Sequence, residues 1–253
     1  DLEVETLVIG AGAGGLVAAL SAQEAGQEVL VLERDPVPRG STALSAGLIP
    51  AAGTVQQRAA GIDDDPETFA ADIQKKAANE ADPALVAALT ENAPEAIGWL
   101  TEGLGLPLTL VDDFDYPGHS RRRMHGLPDR SGAALVDALR SLAEAREVPV
   151  ICERVAHTLC AEEGEPVGVI ARRPDGGDEA IGCKRLILAC NGYGGNKARV
   201  AAHIPAIADA NTADGEQAEQ TITVTIAGDE DQPIFSGDTL GAVAEDARSE
   251  ERR

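Results

Sequence analysis

Two short runs of β-branched and apolar residues, Thr6 to Ile9 and Glu28 to Glu33, flank a stretch of alanine-rich helical composition, Leu16 to Ala25. Glycines separate the first run from the helix. A strand, glycine turn, helix and strand within about 30 residues predicts a βαβ unit with its two strands parallel and adjacent. From Pro66 the pattern turns helical, and residues 66 to 110 predict two or three helices punctuated by Pro83 and Pro94. Residues 111 to 130 read as loop, and Ser131 caps a further predicted helix. Beyond it, apolar residues alternate with turn signals at Glu163-Gly164 and Asp175-Gly176-Gly177, which predicts an antiparallel meander followed by one buried strand, Leu186 to Ala189. The fold class expected is α/β: a Rossmann-like domain with a parallel sheet, helices and an antiparallel crossover meander. Its span is residues 1–205, with the helical excursion at about 66–110.

Near residue 206 the composition changes. Residues 209 to 253 hold 12 acidic and 3 basic side chains and one good strand, Thr221 to Ile226. The segment 206–253 is therefore expected to be a separate acidic tail.

Charge removes whole classes of partner. A formal net charge of −22 opposes nucleic acid and anionic membrane alike, since binding either depends on Lys and Arg displacing counterions. No apolar run reaches the roughly 18 to 20 residues of a membrane span. The four cysteines, Cys152, Cys160, Cys183 and Cys190, lack C-x-x-C spacing. They read as free thiols of a reducing compartment, and a bacterial cytoplasm is the expected location. His157 and His203 carry no metal-ligand spacing, so no metal is expected.

The glycine turn GAGAGG carries the chemistry. Gly10, Gly12 and Gly15 stand as G-x-G-x-x-G, with Ala13 and Gly14 between the last two. Gly10 permits the tight exit from the strand, Gly12 lets the backbone approach a diphosphate, and Gly15 lets the helix sit close on the strand. The helix start then offers N–H groups and a positive dipole end to the anion, worth roughly 0.3 to 2 kcal/mol. Glu33, followed by Arg34, ends the next strand 18 residues past Gly15. A carboxylate there accepts hydrogen bonds from ribose hydroxyls and repels a 2′-phosphate. A dinucleotide site is the conclusion.

The stretch ERDPVPRGSTALSAGLIPAAGT resembles the flavoprotein subunits of fumarate reductases and succinate dehydrogenases and their soluble relatives, the ketosteroid dehydrogenases included. The family's GG-[NS]-[ST]-x-x-S-G-G segment is matched by Gly40, Ser41, Thr42, Ser45 and Gly47, with Arg39 and Ala46 where glycine is usual. The resemblance implies that Ser41 to Gly47 faces the ribityl chain and flavin ring. VPVICERV is similar to the strand whose end, here Arg154 and Val155, meets the adenine. LILACNGYGGN is similar to a turn that approaches the cofactor, here Ala189, Cys190, Asn191 and Gly192. Where some members attach the flavin through histidine this chain has Ser41, so the implied cofactor is noncovalent FAD. The resemblance covers about residues 4 to 205.

The same resemblance implies an oxidoreductase acting on an activated C–C bond of a small-molecule substrate. In the family the substrate cap and a last cofactor segment follow the GYGGN region. About 48 residues follow that region's end here, so the expectation is a catalytically incomplete chain. Residues 217 to 247 are instead similar to the junction of VCBS-type adhesin repeats, which a fusion or designed sequence would explain. A noncatalytic module in such a fusion is the alternative. An NAD-binding protein is disfavoured by GSTALSAG, which an NAD domain does not need.

Two further groups have competing readings. His119 and His125 flank SRRRM, with Arg121, Arg122 and Arg123 forming the one basic cluster of an acidic chain. It reads either as a carboxylate-binding patch or, preferably, as a solvated loop paired with Asp112, Asp113 and Asp115. The run Asp229 to Asp231 reads as solvated charge in preference to a calcium loop.

Overall fold

A computed structural model describes residues 2–192, 197–203 and 223–227. The chain divides into two units: residues 1–40 with 143–253, and residues 41–142. The second unit is wider than the helical excursion at 66–110.

The first unit is built on strands β1 (Leu2–Ile9), β2 (Val29–Leu32), β6 (Val150–Ile151), β7 (Val155–Glu162), β8 (Glu165–Arg172), β9 (Asp178–Leu188) and β10 (Thr223–Ala227). They form one sheet in the order β10-β7-β8-β9-β1-β2-β6. β1 is parallel to β2 on one side, with Ile9 opposite Leu32, and to β9 on the other, with Ile9 opposite Leu188. β6 continues the parallel set beside β2. The hairpin β7-β8 and its neighbour β9 are antiparallel, and β10 adds to β7 in parallel. Helix α1 (Ala13–Glu24) makes the crossover and buries Gly15, Leu16, Ala19 and Leu20. The i, i+3, i+4 spacing of Leu16, Ala19 and Leu20 sets them on one helix face.

All four residues of β2, Val-Leu-Val-Leu, are buried, the near-continuous apolar run of a parallel strand covered on both faces. One core gathers Val4, Leu7, Ile9, Leu30, Leu32, Ala156, Val169, Ala171 and Ile181. Cys190, half-buried, packs against it.

One expectation fails here. Asp178 to Leu188 is a single strand, not the end of a meander followed by a separate buried strand. Its first residues pair β8, and from Ile181 it also pairs β1. The polar Lys184-Arg185 interrupts the apolar pattern without interrupting the strand.

The second unit carries α2 (Gly40–Ala43, begun in the first unit), β3 (Ile49–Pro50), α3 (Val55–Ala59), α4 (Pro66–Lys76), α5 (Pro83–Gly98), a π-helical turn Trp99–Gly103, β4 (Thr109–Leu110), β5 (Met124–Gly126) and most of α6 (Gly132–Ala145). Capping chemistry sets the helix starts. Asp65 and Asp82 accept N–H groups of the first turn ahead of Pro66 and Pro83, and Thr54 and Gln57 form a capping box. Ser131 caps α6 as expected, its Oγ accepting from Ala134 N–H at 3.2 Å.

Two sequence expectations are corrected in this unit. Pro94 lies inside α5 rather than breaking it, and the helix runs on into the π-helical turn, where Leu104 N–H bonds the Trp99 carbonyl. The stretch 111–130 is not all loop, because Met124–Gly126 is the middle strand of a small antiparallel sheet, β3-β5-β4.

Candidate functional site

In the first unit the glycine turn, the acid and the end of β6 converge at the carboxyl ends of the parallel strands. Gly10 leaves β1 with φ +102°, and its N–H donates to the Leu32 carbonyl at 2.7 Å. A β-carbon at Gly10 would lie 2.6 Å from the Ala189 carbonyl oxygen, and one at Gly15 would lie 1.8 Å from the Gly10 carbonyl oxygen. Both positions are closed to any side chain. At Gly12 and Gly14 a β-carbon would meet nothing within 4 Å. Those two glycines border open space at the start of α1, whose N-cap, Gly12, makes no side-chain capping bond. An open backbone surface at a helix start is the room and the polarity that a diphosphate requires.

Glu33 is 6% exposed, and its carboxylate is fixed from two directions. Oε2 accepts from the Ala11 N–H at 2.7 Å and Oε1 from the Asp35 N–H at 2.9 Å. A carboxylate oxygen has two acceptor directions, so each oxygen keeps capacity for a hydroxyl donor. Arg34 forms an ion pair with Asp35 at 3.1 Å, and its side chain is 27% exposed.

The Arg154 N–H donates to the Glu33 carbonyl at 2.8 Å, while its guanidinium binds Glu179 at 2.6 Å. Its backbone therefore adjoins the acid and its side chain is already engaged. Val155 opens β7. Ala189 N–H bonds the Ile9 carbonyl at 2.8 Å, which sets Ala189 and Cys190 beside the glycine turn. Asn191 adopts φ +63°, and Gly192 borders open space. Burial pushes the Cys190 thiol above its ordinary value, consistent with a packing role. Gly40 is close to the turn as well, since a β-carbon there would lie 3.4 Å from Gly12 Cα.

Ser41, Thr42, Ser45, Ala46 and Gly47 belong to the second unit. Ser45 organises the loop: its N–H and Oγ both bond the Thr42 carbonyl, its Oγ accepts from Gly47 N–H at 3.0 Å, and its carbonyl accepts from Gly132 N–H at 2.9 Å. A β-carbon at Gly132 would lie 1.8 Å from the Thr42 carbonyl oxygen, so the loop is seated directly on the start of α6.

The arginine cluster divides in a way the sequence did not foretell. Arg122 pairs with Asp115 and Arg130 with Asp113, as a solvated loop would. Arg123 is instead fully buried, bidentate to Asp64 at 2.8 and 2.9 Å, bonded to Asp72 at 2.6 Å, and stacked 4.7 Å from the Phe69 ring centroid. His125, two residues on, is also fully buried. The signal available was the alternation of Arg123 and His125 about Met124, the period of a strand.

His157 pairs with Asp178. Among the described residues no group of three potential metal ligands occurs, none of the four cysteines forms a disulfide, and no helix is long and apolar enough to cross a membrane. The run Asp229 to Asp231 lies outside the described residues, as does the adhesin-like stretch 217–247 apart from Thr223–Ala227.

A family model described as FAD binding domain matches residues 5–236. The chain belongs to that family. The FAD-binding match extends into the stretch that resembles an adhesin junction. Among curated relatives, a probable fumarate reductase of Shewanella frigidimarina is 34% identical over 210 residues, covering 81% of this chain and 35% of that protein. A urocanate reductase of Eggerthella lenta is 30% identical, covering 77% and 32%. The open conformation of a flavocytochrome c3 fumarate reductase superposes with a TM-score of 0.76 at 32% identity, covering 83% of this chain and 37% of the other. A 3-ketosteroid-Δ4-(5α)-dehydrogenase of Rhodococcus jostii gives 0.70 at 26%, covering 81% and 49%. The FAD-binding chain thus spans about a third of the length of these curated relatives.

Proposed function

We propose that this chain binds FAD without a covalent link and forms the cofactor-binding part of an oxidoreductase that reduces or desaturates an activated C–C bond of a small molecule. The observation that carries the proposal is the pairing of open space at Gly12 and Gly14 with a carboxylate, Glu33, bonded to the same turn through Ala11 N–H. Gly10, Gly12, Ala13, Gly14 and Gly15 would hold the diphosphate and Glu33 the ribose, with Arg34 beside it. The backbone at Arg154 and Val155 would meet the adenine. By the family resemblance, Gly40 to Gly47 would face the ribityl chain and ring, and the turn Ala189 to Gly192 would approach the cofactor.

Bound FAD would supply hydride transfer, whereas substrate binding and proton delivery fall to protein groups. The substrates in the relatives' names, fumarate, urocanate and ketosteroids, mark the class to screen once FAD is in place.

The visible spectrum of the purified protein, mixed with FAD and then desalted, tests the cofactor assignment. A retained flavin spectrum supports it. A folded protein that retains none overturns it.

A further inference from the structure

His125 stands at the centre of β5 with both ring nitrogens engaged. Nδ1 lies 3.0 Å from the Arg123 carbonyl, which can only accept, so Nδ1 carries the proton. Nε2 lies 2.9 Å from Thr54 Oγ1 and therefore accepts the hydroxyl proton. Thr54 Oγ1 in turn accepts the Gln57 N–H at 3.1 Å, and Gln57 donates to Asp64 and to the Arg122 carbonyl, both at 2.8 Å. One imidazole thus secures the turn that follows β3.

The neighbouring residue extends that hold to the loop upstream. A β-carbon at Gly126 would lie 2.6 Å from the Leu48 side chain and 3.6 Å from the Gly47 carbonyl. Ile49 pairs with His125 and Pro50 with Met124 across the sheet. The whole run Gly47 to Thr54 is fastened to β5, and its upstream end is the Ser41–Gly47 loop.

We propose that His125 is a positioning residue for the flavin seat: neutral, it holds Gly47–Thr54 in place through Thr54, and on taking a proton it releases that run, so that FAD affinity falls on acidification. The proposal rests on the reading that Ser41–Gly47 faces the flavin.

The chemistry around the ring explains the switch. A proton on Nε2 turns that atom into a donor, and the Thr54 hydroxyl proton then loses its acceptor inside a buried site. Among the described residues no carboxylate bonds the ring. Asp64 and Asp72 are both bonded by Arg123, the cation two residues before His125. Arg58 of α3 is turned to the Gly53 carbonyl, and β3 and β4 bring no titratable group. Burial pushes the imidazole below its ordinary value, against the carbonyls of Arg123 and Ile49, which favour the proton. The released form binds the proton more tightly than the held form, so the hold is complete above about pH 6.5 and is lost as pH falls.

The test is FAD affinity by flavin fluorescence from pH 8 to 5, for the wild-type chain and for His125→Gln. The expected result is a wild-type Kd that weakens by up to about tenfold per pH unit in the acid range, the limit for one proton, and a flatter profile in the variant. Parallel profiles would overturn the proposal. Amide exchange across residues 48–57 of the cofactor-free wild-type chain, alongside an NMR titration of His125, supplies the second measurement. Exchange that rises with the His125 midpoint supports the hold, and exchange indifferent to it overturns it. A chain that binds no FAD at pH 8 contradicts the cofactor assignment, while the exchange experiment still decides the role of His125.

Discussion

Glu33 Oε2 accepts the backbone N–H of Ala11 at 2.7 Å, a bond between residues 22 apart that joins the end of β2 to the glycine turn after β1. The acid therefore shapes the turn, in addition to the ribose contact proposed for it. Glu33→Ala removes this bond and the one to Asp35 N–H, leaving the buried Ala11 N–H without its acceptor. The expected cost is about 1.5–3 kcal/mol, the range for a bond to a charged group. Urea denaturation of the cofactor-free protein measures it, and an unchanged midpoint would mean that Glu33 contributes to ligand binding alone.

The glycines of the turn separate into two kinds, and substitution should tell them apart. Gly15→Ala drives a β-carbon into the Gly10 carbonyl and should unfold or strongly destabilise the chain. Gly12→Ala meets no protein atom, and its φ of −70° suits alanine. Its stability should change by less than about 1 kcal/mol, whereas FAD binding should weaken at least tenfold. Melting curves with and without FAD distinguish the two effects.

Arg123→Met leaves Asp64 buried without its cation. Breaking a buried pair from one side costs about 3–5 kcal/mol, and Phe69 also loses the guanidinium stacked on it. Arg123→Met combined with Asp64→Leu removes both charges and should recover part of that loss. Denaturant midpoints of the single and double variants decide whether the pair is coupled in this way.

Burial holds the thiols of Cys160, Cys183 and Cys190 above their ordinary value. Since the thiolate is the nucleophile, iodoacetamide at pH 7.5 should label these three much more slowly in the native chain than in urea. Peptide mass spectrometry reads the ratio residue by residue. Rapid native labelling at Cys190 would place it in an open, reactive setting instead.

The βαβ unit could be read from sequence because its signals are local: apolar runs of strand length, a glycine turn with G-x-G-x-x-G spacing, and an acid at the next strand's end. Ser131 and Pro83 were equally legible, since a cap and a first-turn proline act within a few residues. The small sheet was not, because its strands are two or three residues long and one contains Pro50. Arg123 was hidden among three consecutive arginines, where only tertiary pairing with Asp64 and Asp72 selects the buried one. Pro94 misled because the cost of an interior proline is weighed against the burial of Ala93, Ile97 and Leu100 around it, which sequence alone does not reveal.

β9 has one more implication, for how the gene can vary. The same unbroken strand is in register with β8 at Gly182 and with β1 from Leu2 to Ile9, and it delivers Ala189 against Gly10. A residue gained or lost within it would turn Leu186 and Leu188 to the opposite face and carry the mismatch to the glycine turn. Length changes are better absorbed at the exposed tip near Asp175-Gly176, ahead of both registers. Insertions and deletions among natural variants should accordingly collect at that tip and spare the span from Ile181 to Ala189.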